Sequence, residues 1–151
     1  MNITRTLVAI ALLGAAGMAQ AAGNCTISLK GDDAMKFDQK EATVSAGCAN
    51  ITVELVHTGK LPAAAMGHNV VISKTPDMAG VTRDAIKAGA AKNYVPDSDA
   101  RVIAHTKIIG GGETTKITFP GKALTAGGDY SFFCSFPGHS TMMKGKLVVT
   151  K

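Results

Sequence analysis

Three residues near the C-terminus have the types and spacing of a soft metal site: Cys134, His139 and Met143. They lie in Cys134-Ser-Phe-Pro-Gly-His139-Ser-Thr-Met-Met143, with Pro137-Gly138 placed to turn the histidine back toward the cysteine. A thiolate, an imidazole and a thioether together suit a metal that is stable as both Cu(I) and Cu(II). Calcium and magnesium prefer oxygen ligands and are poorly served by this set. Met143 stands four residues beyond His139, which puts the two on one face of a helical turn, with Met142 as its competitor.

Such a site needs a second histidine from elsewhere in the chain, and the candidates are His57, His68 and His105. His68 has the strongest context, in Met66-Gly67-His68-Asn69 at the mouth of an apolar strand. Gly67 permits close backbone approach, so its carbonyl can reach a metal from the side opposite Met143. Asn69 can hydrogen-bond across the two ligand loops and orient them. His57 shares strand parity with Val53 and Leu55 and reads as a core histidine with a hydrogen-bond partner. His105, in an alternating run, reads as a surface residue.

Positioning these residues falls to a chain of short strands. Period-two runs occupy Cys25 to Leu29, Ile51 to His57, Asn69 to Ser73, Val102 to Ile109, Thr114 to Phe119, Asp129 to Phe136 and Lys146 to Thr150. With Met35 to Phe37 they make about eight strands, which predicts an all-β, antiparallel Greek-key sandwich or barrel. The candidate ligands then share the last inter-strand loop. One segment differs. From Asp77 to Ala91 the apolar residues Met78, Val81, Ala85 and Ile86 follow helical spacing, with Asp77 as N-cap and Gly89 as stop. This predicts one inserted helix around 77–91.

Residues 1–21 have the form of a signal peptide: Arg5, a short apolar run, and the small-x-small sequence Ala19-Gln20-Ala21. The run is too short to span a bilayer comfortably, and no later segment comes close. Cleavage leaves 22–151 as a single domain in an oxidising compartment, where Cys25 and Cys48 can pair. Asn24, not a small residue, precedes Cys25, which argues against lipidation there. The cysteine left over is Cys134, and a free thiol in an exported protein calls for an explanation.

The chain carries 16 basic and 11 acidic side chains, a formal net charge of +5. The lysines are dispersed, with no aromatic-interleaved basic stripe, so nucleic acid is not an expected partner. No acid/base pair, hydrolase nucleophile motif or second histidine cluster points to an enzyme.

The whole of 22–151 resembles the azurin family of small cupredoxins. The likeness runs through Met66-Gly-His-Asn69, Asp99-Ala-Arg-Val-Ile-Ala-His-Thr-Lys107 and Phe132-Phe-Cys-Ser-Phe-Pro-Gly-His139. It implies one type 1 copper in a trigonal plane of His68, Cys134 and His139, with Met143 and the Gly67 carbonyl on the axes. It also implies hydrogen bonds to the thiolate from Asn69 and the Phe136 N–H, a Cys25–Cys48 disulfide, and one-electron transport in the periplasm. Expected partners are redox proteins such as c-type cytochromes and periplasmic reductases or dehydrogenases. They would dock transiently on an apolar patch of Met35, Leu61, Ala65, Met66, Phe136 and Pro137, beside a His139 ring whose edge reaches the surface. A copper-delivery protein is the competing expectation, and a copper enzyme a more distant one. Val70 stands where some members carry a buried tryptophan, and the chain has no Trp.

Overall fold

A computed structural model describes residues 23–151; the expected signal peptide, 1–21, lies outside the described residues. Among the described residues, eight strands form two sheets. The first holds β1 (Thr26–Gly31), β3 (Asn50–His57) and β6 (Thr114–Pro120), in the order β1-β3-β6. The second holds β2 (Glu41–Ser45), β4 (Val71–Lys74), β5 (Val102–His105), β7 (Tyr130–Phe133) and β8 (Lys144–Thr150), in the order β2-β8-β7-β4-β5. Helix α1 (Ala63–Met66) is a single turn, and α2 (Met78–Ala88) is the inserted helix.

Alternation decides which side chains enter the core. Ile27 and Leu29 of β1 pair in register with Val53 and Leu55 of β3, and all four are buried. Val44, Ile72, Phe132 and Leu147 face them from the second sheet, with Phe37 tilted against Phe132 at 5.7 Å. Burying each large aliphatic or aromatic side chain contributes about 1.5–3 kcal/mol. The same parity carries β3 to His57, fully buried at the end of the strand.

β7 is buried at all four positions because both of its faces are covered. Phe132 packs into the main core, while Phe133 joins Val71, Val81 and Val95 in a smaller cluster under α2. This double packing makes β4 and β7 a rigid base for the loops that follow them.

The structure corrects four expectations. Met35 to Phe37 is not a strand: Phe37 makes only an isolated bridge to Gly31, and the eighth strand is Glu41–Ser45. The sheets are not purely antiparallel, since β1 runs parallel to β3 and β2 parallel to β8. Asp77 precedes α2 but makes no side-chain cap, because a 3₁₀ turn over Thr75–Asp77 leads straight into the helix. Ile86 is 60 % exposed, leaving Val81 and Ala85 as the buried stripe. Gly89 ends the helix as expected, at φ 73°. No helix among the described residues is long and apolar enough to cross a membrane.

Candidate metal centre

The ligand loop runs from Cys134, just past β7, to Met143, just before β8. Its two ends are joined, because the Cys134 N–H donates to the Met143 carbonyl at 2.9 Å. Gly138, at φ 82°, turns the chain into a 3₁₀ turn over His139–Thr141. The Met143 N–H then closes onto the His139 carbonyl at 2.8 Å. That turn separates the two methionines: Met143 is fully buried, whereas Met142 is 50 % exposed.

His68 arrives from the segment before β4. Its backbone is clamped to Ile109 by a reciprocal pair of hydrogen bonds, 3.0 and 2.9 Å. Across the core end, Cys134 Sγ, His68 and His139 bring one ligand atom each within 4.8 Å of the others, all buried. Cys134 Sγ lies 3.7 Å from His139 Nδ1 and 3.8 Å from the Gly67 carbonyl oxygen. Among the three and Met143, only His139 keeps any accessible surface, 3 %. Its ring edge is far more covered than expected, flanked by Phe136 at 4.6 Å and His68 at 5.2 Å between centroids.

The hydrogen bonds around His68 test whether a cation fits. Nε2 faces the Asp32 carbonyl at 2.8 Å, so we assign the ring proton there. Burial lowers the His68 pKa, which keeps the ring neutral and leaves a lone pair on Nδ1. That lone pair points at the Gly67 carbonyl oxygen 3.0 Å away. Two lone pairs this close repel unless a cation beside them is shared by both. Two imidazole nitrogens and the Cys134 sulfur converge in one buried cluster, and that N/S donor set fits copper.

The sulfur environment points the same way. Burial pushes the Cys134 thiol up to about 11, against which the backbone N–H groups of Asn69 and Phe136 favour the thiolate. Burial holds His139 down at about 4, with repulsion from His68 and His57 adding to it, so its nitrogen stays unprotonated at neutral pH. A bound cation supplies the charge that the thiolate needs.

The Asn69 side chain ties the loops together. Its Oδ1 accepts from the Ser135 N–H at 2.9 Å, and its Nδ2 donates to Ser135 Oγ at 2.8 Å and to the Asn93 carbonyl at 3.0 Å. The backbone N–H of Asn69 favours the Cys134 thiolate, while the Asn69 side chain spans to the next loop. Gly67 is enclosed: a Cβ there would meet the Ala63 carbonyl at 2.5 Å and Ile108 at 2.8 Å.

Residues 23–150 match the family described as copper binding proteins, plastocyanin/azurin family. The chain belongs to that family. Within the plastocyanin/azurin family it is 54% identical over 123 residues to Azurin-1 of Alcaligenes xylosoxydans xylosoxydans, covering 82% of this chain and 95% of the relative. It is 48% identical over 143 residues to the azurin of Bordetella pertussis, covering 95% of each. Among solved structures, the azurin (Az-iso2) of Methylomonas sp. strain J superposes with a TM-score of 0.80 at 41% identity, covering 84% of this chain and 98% of that one. The eight-stranded fold with one inserted helix is the cupredoxin fold, and the His68-Cys134-His139 cluster fits the family's single type 1 copper.

The other expected residues are placed as follows. Cys25 and Cys48 form a disulfide, and Cys134 is free and buried. His57 is a core histidine: Nδ1 accepts from the Gly59 N–H at 3.1 Å and Nε2 donates to the Met66 carbonyl at 2.9 Å. His105 is half-buried and bonds the Thr106 carbonyl, away from the cluster. Of the expected patch, Met35, Leu61, Ala65 and Pro137 are exposed, and Met66 and Phe136 are half-buried.

Spacing did not point to Gly31, Asp32, Ser135 or Asn93. A Cβ on Gly31 would meet His68 Cδ2 at 2.8 Å and Met143 Cε at 3.3 Å. The readable signal was a glycine at an inward position closing the alternating run of β1. Asp32 and Asn93 act through backbone carbonyls, which side-chain identity does not reveal.

Proposed function

We propose that this chain is a one-electron carrier of the periplasm, directed there by residues 1–21 as a signal peptide, with 22–151 as the mature copper domain. His68 Nδ1, Cys134 Sγ and His139 Nδ1 are the strong ligands, and Met143 and the Gly67 carbonyl the weak ones. Copper, when bound, supplies a couple between Cu(I) and Cu(II). The remaining work is done by the chain. β4 and β7 hold the two ligand loops at a fixed separation, and the Asn69–Ser135 bonds keep that separation from changing. Asp32 fixes the His68 tautomer through Nε2.

The observation that carries the reading is the closed, buried convergence of one thiol and two imidazoles within 4.8 Å. With His68, Cys134 and Met143 fully covered, and 3 % of His139 accessible, an electron can leave at His139 but a substrate cannot reach the metal. That closure supports electron transfer over catalysis. It also supports electron transfer over copper delivery, which needs an accessible, exchangeable metal. Met35, Leu61, Ala65, Met66, Phe136 and Pro137 form the docking surface for redox partners such as c-type cytochromes and periplasmic reductases or dehydrogenases. Apolar, methionine-containing patches suit transient docking with more than one partner.

The optical spectrum tests this. The Cu(II) protein should be intensely blue from sulfur-to-copper charge transfer and bleach reversibly with reductant, and Cys134→Ser should keep the fold and lose the colour. A colourless Cu(II) protein sinks the type 1 assignment. Copper transfer to a chelating acceptor faster than electron self-exchange would favour delivery instead.

A further inference from the structure

Asn93 and Tyr94 are consecutive residues in the left-handed conformation, at φ 55° and 53°. Asparagine tolerates that region, but a bulky aromatic is crowded by its own backbone there. Such a conformation persists where the surroundings over-determine it, and those surroundings are informative.

The pair is pinned locally by its N–H groups. Asn93 donates to the Ala90 carbonyl and Tyr94 to the Gly89 carbonyl, each at 2.9 Å. Outward from this turn, each residue makes one contact toward the metal centre. The Asn93 carbonyl accepts from Asn69 Nδ2 at 3.0 Å, while its side-chain Oδ1 accepts from the Ile108 N–H at 2.9 Å. The Tyr94 ring meets Phe136 edge-on, with centroids 5.1 Å apart and planes at 66°. Asn69 and Phe136 lie on different loops, and theirs are the two backbone N–H groups that favour the Cys134 thiolate against its burial.

We propose that Asn93-Tyr94 is a positioning pair that holds both N–H donors against the Cys134 sulfur and so sets how strongly the thiolate donates to the bound metal. Neither residue is a ligand. Asn93 acts through the Asn69 side chain, and Tyr94 acts through the Phe136 ring. Hydrogen bonds to a ligating cysteine sulfur draw charge from it and shift the potential of a copper site. The left-handed turn is what brings a carbonyl and an aromatic edge onto two separate loops from adjacent residues. This inference rests on the type 1 reading of the centre.

The test uses Tyr94→Ala, Asn93→Ala and Asn93→Gly in the mature chain. Arg101→Ala is the control, since it removes ion pairs to Asp84 and Asp99 without touching Asn69 or Phe136. Amide exchange at Asn69 and Phe136 is read by NMR in the Cu(I) and metal-free proteins, together with the reduction potential of the copper form. Expected is exchange faster by about tenfold at Phe136 in Tyr94→Ala and at Asn69 in Asn93→Ala, with a lowered potential. Asn93→Gly, which accepts the left-handed conformation and keeps the carbonyl, should lie closer to wild type than Asn93→Ala. Exchange rates and potentials that stay at wild-type values, or move no more than in Arg101→Ala, overturn the proposal. A blue wild type with unmoved variants rejects the positioning pair alone, whereas a colourless Cu(II) wild type rejects the type 1 reading beneath it.

Discussion

The imidazole rings of His57 and His68 are stacked, with centroids 4.3 Å apart and planes 12° from parallel. His57 is itself fixed at both nitrogens, by the Gly59 N–H and the Met66 carbonyl, so it forms a rigid wall behind the face of His68. Replacing His57 with Phe keeps a ring in the stack but removes both hydrogen bonds. The cost should be about 1–3 kcal/mol, because each partner is left unsatisfied in a largely covered place. Urea unfolding of metal-free protein measures it. A His57→Phe variant as stable as wild type would mean that these bonds contribute nothing.

Gly31 faces His68 from the side of β1. Its φ lies outside the left-handed region, so the backbone there accepts a side chain, yet an added Cβ would sit 2.8 Å from His68 Cδ2 and 3.3 Å from Met143 Cε. His68, held by His57 and Asp32, has little room to retreat. Gly31→Ala should therefore fold with a loss of about 1–3 kcal/mol from overpacking, and should shift the visible and EPR spectra of the Cu(II) form. Unaltered spectra would show that His68 and Met143 are not both near the metal.

The metal-free protein should lose stability in weak acid. His139 is held at about 4 against an ordinary 6.5, and His68 is lowered too, both mainly by burial. The unfolded chain then binds protons that the folded chain refuses, so acid favours unfolding between those two values. Stability should be level near neutral pH and fall as pH drops from 6.5 toward 4. Thermal melts of copper-free protein across that range check it. A melting temperature constant down to pH 4 would contradict the burial of these two rings.

The disulfide stands at the far end of the sandwich. Cys48 precedes β3 and His57 ends it, and an eight-residue strand is roughly 25 Å long. Removing the bridge with Cys25→Ala and Cys48→Ala together should cost about 2–4 kcal/mol and leave the blue absorption unchanged. Loss of colour in a folded double variant would show coupling along β3.

The ligand loop was legible because its chemistry is written in side chains: Cys134, His139 and Met143 fall between two strong strands. His68 was legible through its neighbours Gly67 and Asn69. Elements whose patterns are short or polar were harder to read. Glu41-Ala-Thr-Val-Ser45 alternates, but it offers only Ala42 and Val44 as apolar inward residues before Ser45, and its parallel partner is at the other end of the chain. Local pattern carries no information on parallel against antiparallel pairing, so the mixed sheets were invisible. Ile86 followed helical spacing yet faces solvent, because α2 needs only a narrow stripe against Val71 and Phe133. The support from Asp32 and Asn93 comes from carbonyl oxygens that every residue possesses, and only the folded backbone reveals which ones are used.

β2 lies parallel to β8, residue 41 opposite residue 146 and residue 45 opposite residue 150. β2 therefore waits for β8 before its sheet edge can close, a contact of high sequence separation and slow formation. The ligand loop leads directly into that last strand. The Cys134 N–H donates to the Met143 carbonyl just before β8, so the loop is closed only when that strand is in place. Metal capture by the finished centre thus follows the docking of β8, which topology makes a late step of folding.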